Sequence, residues 1–430
     1  MIKLFLGAVT VLGLIAGCGG RGPAADSGHA ARPAKTGPPP GCLVPPATCY
    51  TPRVFRTAYG ISPLLERGVD GCGQTVVIPE IAQPPGPDAT DIRQDLARFD
   101  SLFGLPPARL RVVNSLAGAG SPWLAGGEEV EDAELVHAVA PGAAISIVLV
   151  KRSAVNSPAD FAAALTAFLR FGATHGGVLS ISASIGEHYL TPAEVAGVDA
   201  ALRADRDHHL TVVAASGDKG AASDLHFGST TPVKEVSLPA SDPLVLAAGG
   251  TSLTADRANG AYTGETAWNT LPAPPSTGDG SSASGGGFSH LFARPSYQDG
   301  VPGAETTRGV PDVAGDAAFN TGMAVVSSGS TGQAIVRPAT GTSAAAPFWA
   351  GLIALADQLA HRHLGFINPA IYRIARGPLY HAAFHDITTG DNTFVLPPRI
   401  TGYPAGPGWD PVTGWGTPNA RVLMPLLAHR

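Results

Sequence analysis

The sequence predicts an α/β fold, with one large domain built on a parallel sheet that carries helices on both faces. Three observations support this. Short apolar runs rich in β-branched residues recur along the chain: QTVVIPEI, AAISIVLV, GVLSISAS, LTVVAAS, LVLAAGG and MAVVSS. Continuous apolar runs of this length suit strands buried on both faces. Between them, PADFAAALTAFLRFGATH and TPAEVAGVDAALRADRDHH read as amphipathic helices, and such alternation favours a helix-flanked parallel sheet. Finally, 44% of the 430 residues are hydrophobic and 14% charged, a composition that can bury a large core and argues against wholesale disorder.

The chain opens on a targeting pattern. Lys3 supplies a positive start, and Leu4 to Ala16 form an apolar run too short to span a bilayer as a stable helix. The run ends in Ile15-Ala16-Gly17-Cys18, which resembles a bacterial lipobox. That resemblance implies a lipoprotein signal peptide over 1–17 and an exported cell-envelope protein held by lipid chains on Cys18. The alternative is an ordinary secretory signal and a secreted protein. Residues 18–48, rich in Gly, Pro and Ala, read as a tether. Residues 49–430 read as the single domain, without a second linker or internal repeat. Gly (54) and Pro (39) are abundant, implying many turns rather than long helices. Cys42, Cys49 and Cys72 are expected to form one disulfide and leave one thiol, with the pairing open. A net charge of −6 lacks the basic footprint of a nucleic-acid binder. A monomer is expected, touching the membrane through its lipid anchor alone.

The chemistry starts at GTSAAAPFWAGLIALADQLA, residues 341–360. Gly341-Thr342 allows a tight turn, and Ser343 enters an apolar helix with Pro347 expected in its first turn. Unpaired amides there place Ser343 in positive potential, which helps a developing oxyanion. A serine in this position can equally be a simple helix cap. The segment resembles the nucleophile region of subtilisin-like peptidases, in the form G-T-S-x-x-x-P. Two families share it: the subtilisins, with an Asp-His-Ser triad, and the sedolisins, or serine-carboxyl peptidases, with paired carboxylates. The early strand TVVIPEIAQPP carries Pro79-Glu80 and no D-[ST]-G motif. His137-Ala138 and His175-Gly176-Gly177 do not continue as H-G-T-x-V-A.

The sedolisin pattern fits instead. GEEVEDAELVHAVAPGAAISIV, residues 127–148, resembles that family's E-x-x-x-D…H-A-x-A-P-G-A segment and puts the pair at Glu128 and Asp132. Four residues apart on a helix, they share one face. Burial and a like-charged neighbour raise a carboxylate's pKa, so that it can take a serine proton. Glu129 and Glu131 read as surface groups at the positive helix end, and His137 as structural. LTVVAASGDKGAASD, residues 210–224, resembles the family's strand followed by S-G-D-x-G. The match implies that Asp218, when protonated, donates to the oxyanion beside the Ser343 amide. Lys219 stands where the family usually has Ser, and a cation there favours ionised Asp218. HDITTGDNT (385–393) and AGPGWDPVTGWGTPNA (405–420) resemble the family's calcium loop. The match implies one structural Ca²⁺ on Asp386, Asp410 and the carbonyls of Ile387, Gly406 and Gly408.

The resemblance covers about 49–420. It implies a subtilisin-like fold and an acid-favouring serine-type endopeptidase acting on polypeptides, with Ser343, Glu128 and Asp132 as triad and Asp218 as oxyanion donor. Ser182–Gly186 and Ser284–Phe288 are expected to line the cleft, where extended substrate pairs with backbone. One alternative is a tripeptidyl peptidase; another, from a different class, is a silent peptide-binding lipoprotein. Family members usually carry a long N-terminal prodomain, so the short tether implies folding unaided or with another protein's help.

Overall fold

The computed structural model describes Cys42 and residues 49–82, 90–116, 124–125, 127–151, 155–206, 208–222, 233–270, 282–328, 334–395 and 399–429. The signal segment, Cys18 and the tether other than Cys42 lie outside these residues. An eight-stranded sheet organises the fold. Its order is Tyr262–Ala267, Leu246–Ala255, Thr211–Ala215, Val178–Ile181, Thr75–Ala82, Ala144–Lys151, Arg109–Leu116. Val313–Asp316 also pairs with Leu246–Ala255. All pairings are parallel except that of Tyr262–Ala267.

The apolar runs lack polar alternation because both faces are covered. Val76, Ile78, Ile145, Ile147 and Val213 face one core cluster, shared with the helices Glu128–Val139 and Thr342–Ala360. Val77, Val148, Leu179, Val212 and Ala214 face the other, under Pro158–His175 and Pro192–Arg206. Successive residues point to opposite faces, so most positions of each central strand carry apolar side chains.

Thr342–Ala360 runs through the middle of the domain, with Thr342 and Ala344 to Asp357 all buried. A helix apolar around its whole circumference belongs in a core. It packs on Glu128–Val139 at close range: a Cβ on Gly351 would lie 2.8 Å from the Val139 side chain. With 19 and 18 residues, this helix and Pro158–His175 are longer than a turn-rich composition suggests.

Several expectations change. MAVVSS does not join the sheet: Ala324–Ser328 forms an antiparallel hairpin with Ala334–Pro338. The edge strand Arg109–Leu116 was hidden by its arginines, which an edge strand can carry into solvent. Cys42, in the stretch read as tether, is buried and disulfide-bonded to Cys49. Cys72 is disulfide-bonded as well, so no spare thiol remains among the described residues. Pro347 lies inside its helix rather than in the first turn. Lacking an N–H, it leaves the Ser343 carbonyl without its intrahelical donor, and the Ser182 hydroxyl, whose proton is shared with Asp132, lies beside that carbonyl at 3.2 Å.

Candidate active site

Ser343 sits in the first turn of Thr342–Ala360, half-buried. Its hydroxyl donates to the Ser182 carbonyl at 3.3 Å and lies near enough to the Glu128 carboxylate to favour its ionised form. Its amide, so near the helix start, has no intrahelical acceptor. Glu128 opens the helix Glu128–Val139 and is exposed on the cleft. One helical turn further, Asp132 is fully buried. Asp132 Oδ2 accepts the Ser182 hydroxyl at 2.5 Å, and its Oδ1 is buried without a partner. Glu128, Asp132 and Ser343 therefore converge on Ser182, at the end of a central strand.

The electrostatics follow from crowding. Close packing, and then the carboxylates of Glu131, Glu129 and Asp218, raise the Glu128 pKa to about 7, against the lowering effect of the Ser343 hydroxyl. Burial raises Asp132 well above the usual range, and Glu128 adds to the shift. The buried partner thus keeps a proton where the exposed one can lose it.

Asp218 follows the strand Thr211–Ala215. Its Oδ1 accepts both the amide and the hydroxyl of Thr342, each at 2.8 Å. Its Oδ2 lies against Gly341, 2.7 Å from where a Cβ would stand. Gly341 also has φ +81°, so both the turn and the carboxyl above it exclude a side chain. The Thr342 hydroxyl accepts the Gly217 amide at 3.0 Å, which ties the Asp218 turn to the Ser343 helix.

Other residues fall differently from expectation. Glu129 and Glu131 are buried, at 2% and 4% exposure, rather than on the surface. The helix lies inside the domain, so even its acidic start is enclosed. Glu80, which the sequence offered only as a missing aspartate, is 8% exposed and crowds the same cluster. Burial raises its pKa well above the usual range, and Glu129 and Asp132 push it further. A glutamate in an otherwise apolar parallel strand was the available signal, since burying a charge is costly. Glu80, Glu128, Phe161, Phe168, Ile181 and Ser182 are among the lining of a cleft of about 250 Å³. Ser182 and Ala183 thus line the cleft as expected. Ser284 and Gly285 are instead buried behind the Asp218 turn, where the Gly285 amide bonds the Gly217 carbonyl at 2.7 Å, while Gly286 to Phe288 line a separate pocket with Glu235, His290 and Tyr403. His137 is fully buried against the Pro106 carbonyl and Asp100. His175 stacks on Phe171.

The C-terminal loop brings Asp386 and Asp410 to one turn. The Gly408 amide reaches both oxygens of Asp386 at 3.1 Å, and the Gly406 amide reaches Asp410 Oδ2 at 3.2 Å. Neither carboxylate is ion-paired with a basic side chain among the described residues. Burial raises Asp410 to about 6. The carbonyls of Ile387, Gly406 and Gly408 accept no hydrogen bond among the described residues. Asp410 also accepts the Val412 and Thr413 amides and the Thr413 hydroxyl, and Asp386 the Tyr380 hydroxyl. Two such carboxylates without an ion-pair partner, beside carbonyls with no donor among the described residues, are an all-oxygen set that fits a hard cation.

Comparison with known proteins agrees with this geometry. The subtilase family profile matches residues 117–383. Kumamolisin of Bacillus sp. (strain MN-32) is 37% identical over 393 residues, 88% of this chain and 64% of its own length. Tripeptidyl-peptidase 1 of Bos taurus is 30% identical over 358 residues, 78% of this chain and 58% of its own. The chain thus spans somewhat less than two thirds of these relatives. Among solved structures, Pseudomonas sedolisin, a serine-carboxyl proteinase complexed with pseudo-iodotyrostatin, superposes with a TM-score of 0.70 at 26% identity. That match covers 87% of this chain and 96% of the sedolisin chain. The chain belongs to the subtilase family, among its sedolisin-type members.

Proposed function

We infer that this protein is a serine-type peptidase that hydrolyses peptide bonds in polypeptides, acting as an endopeptidase. The observation that carries the reading is the convergence of Ser343, Glu128 and Asp132 around Ser182, at a helix start capped by Asp218. Ser343 Oγ attacks the substrate carbonyl and Glu128 takes its proton. Protonated Asp132 sits behind Glu128 and keeps the second charge out of the pair. The oxyanion forms between the Ser343 amide and Asp218 Oδ2, whose proton must be present to donate. Glu128 returns the proton to the departing amine, which leaves an ester on Ser343. The same groups then deliver water to that ester. Incubating a denatured protein with the enzyme and sequencing the products tests the mode. Internal fragments of varied length support an endopeptidase. Tripeptides released in order from free N-termini would establish instead the second reading, favoured by similarity to Tripeptidyl-peptidase 1.

Asp386 and Asp410, with the carbonyls of Ile387, Gly406 and Gly408, would hold Ca²⁺. The ion would neutralise both carboxylates and fix the loop. EDTA is expected to lower the melting temperature and added Ca²⁺ to restore it; a hundredfold excess over Kd stabilises by about 2.7 kcal/mol. Melting curves that ignore both additions would make the loop an ordinary turn.

Export as a lipoprotein completes the reading, with a lipidated Cys18 as the first mature residue. Mass spectrometry of the N-terminal peptide, with and without reductant, is expected to find the acyl chains. An unmodified Cys18, or one held in a disulfide, overturns the anchor.

A further inference from the structure

Glu131 is built into a bridge between the two segments that carry Ser343 and Glu128. Its Oε1 accepts the Thr340 amide at 2.8 Å. Its Oε2 is ion-paired with Nη1 of Arg337. Nη2 of the same guanidinium reaches the Gly127 carbonyl at 2.9 Å. Gly127 immediately precedes Glu128, and Thr340 stands three residues before Ser343. The contacts therefore close a path from the base helix, through one cation and one carboxylate, to the nucleophile turn. Arg337 comes from a third element, the hairpin strand Ala334–Pro338.

A guanidinium is a rigid planar fork, so its two contacts fix an angle as well as a distance. Both partners are largely enclosed, with side-chain exposures of 28% and 5%, and charge-assisted hydrogen bonds in such surroundings resist stretching. Sliding the Ser343 turn along the Glu128 helix would strain the ion pair and both flanking hydrogen bonds together. Proton transfer depends on placement to within about 0.5 Å.

Charge adds a second consequence. The groups around Glu128 are Glu129, Glu131 and Asp132 on its own helix, Glu80 on the strand Thr75–Ala82, and Asp218 followed by Lys219 in the neighbouring turn. From the hairpin, Arg337 faces Glu131, Glu134 and Glu128. The guanidinium favours the ionised base among carboxylates that oppose it.

We propose that Glu131 and Arg337 are positioning residues, a charged clasp that sets the Ser343 turn against the Glu128 carboxylate. The proposal rests on Ser343 as nucleophile and Glu128 as base. The test uses Arg337→Met, Arg337→Lys, Glu131→Gln and the double variant Arg337→Met/Glu131→Gln, each checked for folding by circular dichroism. Amide hydrogen exchange is followed over 127–131 and 340–343, with kcat and KM measured across pH on one peptide substrate. Arg337→Met is expected to speed exchange at Thr340 to Ser343. It should lower kcat by about 10- to 100-fold with KM within about twofold. It should also move the acid limb to higher pH, because the ionised base loses its cation. Arg337→Lys keeps the charge and loses the fork, so kcat falls while the acid limb stays. If Arg337→Met fails to fold, Arg337→Lys carries the test. The double variant should lose little beyond Arg337→Met alone. Unchanged exchange and kcat in a folded variant, or a loss confined to KM, would overturn the clasp. A wild type without peptidase activity would instead sink the peptidase reading, and the exchange data alone would then decide the clasp.

Discussion

Ser343→Ala should reduce kcat for peptide hydrolysis by roughly 10⁶, with the fold intact. The hydroxyl is small and half-buried, and Thr342 rather than Ser343 carries the bonds that join the helix to the Asp218 turn. Removing Oγ therefore deletes the nucleophile and little structure. Glu128→Gln should cost several powers of ten as well, since an amide of the same shape cannot take the serine proton. Triad members act as a unit, so the double variant should be scarcely worse than either single one. Steady-state rates beside a melting curve check all three. Near-normal hydrolysis by Glu128→Gln would remove Glu128 as the base.

The second large effect is that of Asp218. Asp218→Ala should lose about 10²- to 10³-fold in kcat, as expected for one oxyanion donor. The more informative variant is Asp218→Asn. The active form needs Glu128 ionised and Asp218 protonated. Close packing raises Glu128 to about 7, so the ionised base is lost as pH falls below that value. This draws the acid limb of kcat/KM nearer neutrality than an ordinary carboxylate would, and tempers the acid-favouring expectation. Asp218 can donate only while it holds a proton, so loss of that proton is expected to set an alkaline limb. The measured limbs are properties of the coupled carboxylates together. Asparagine donates without titrating, so Asp218→Asn should keep the acid limb, lose the alkaline one and peak lower. A profile identical to wild type would reduce Asp218 to a turn residue.

Much of this protein was legible in its sequence for local reasons. The mostly apolar runs 75–82, 144–151 and 211–215 announced strands with two covered faces. The spacing of Glu128 and Asp132 put both on one side of a helix. The order in which their segments, the Asp218 turn and the Ser343 helix follow one another identified the family. These features depend on neighbours along the chain, and period and motif record such neighbours.

What the tertiary structure decided was the surroundings of charge. Glu129 and Glu131 looked like solvated residues at a helix start, yet the chain wraps that start. Glu80 comes from a strand 48 residues before Glu128, and Arg337 from a hairpin 209 residues after it. Neither spacing has a period to betray it. The pKa of Glu128 and the protonation of Asp132 depend on how many carboxylates fold together and, for Asp132, on how little water reaches it. Burial is a property of the packed whole, so the sequence by itself named the reacting side chains, and only the fold determined which of them holds the proton.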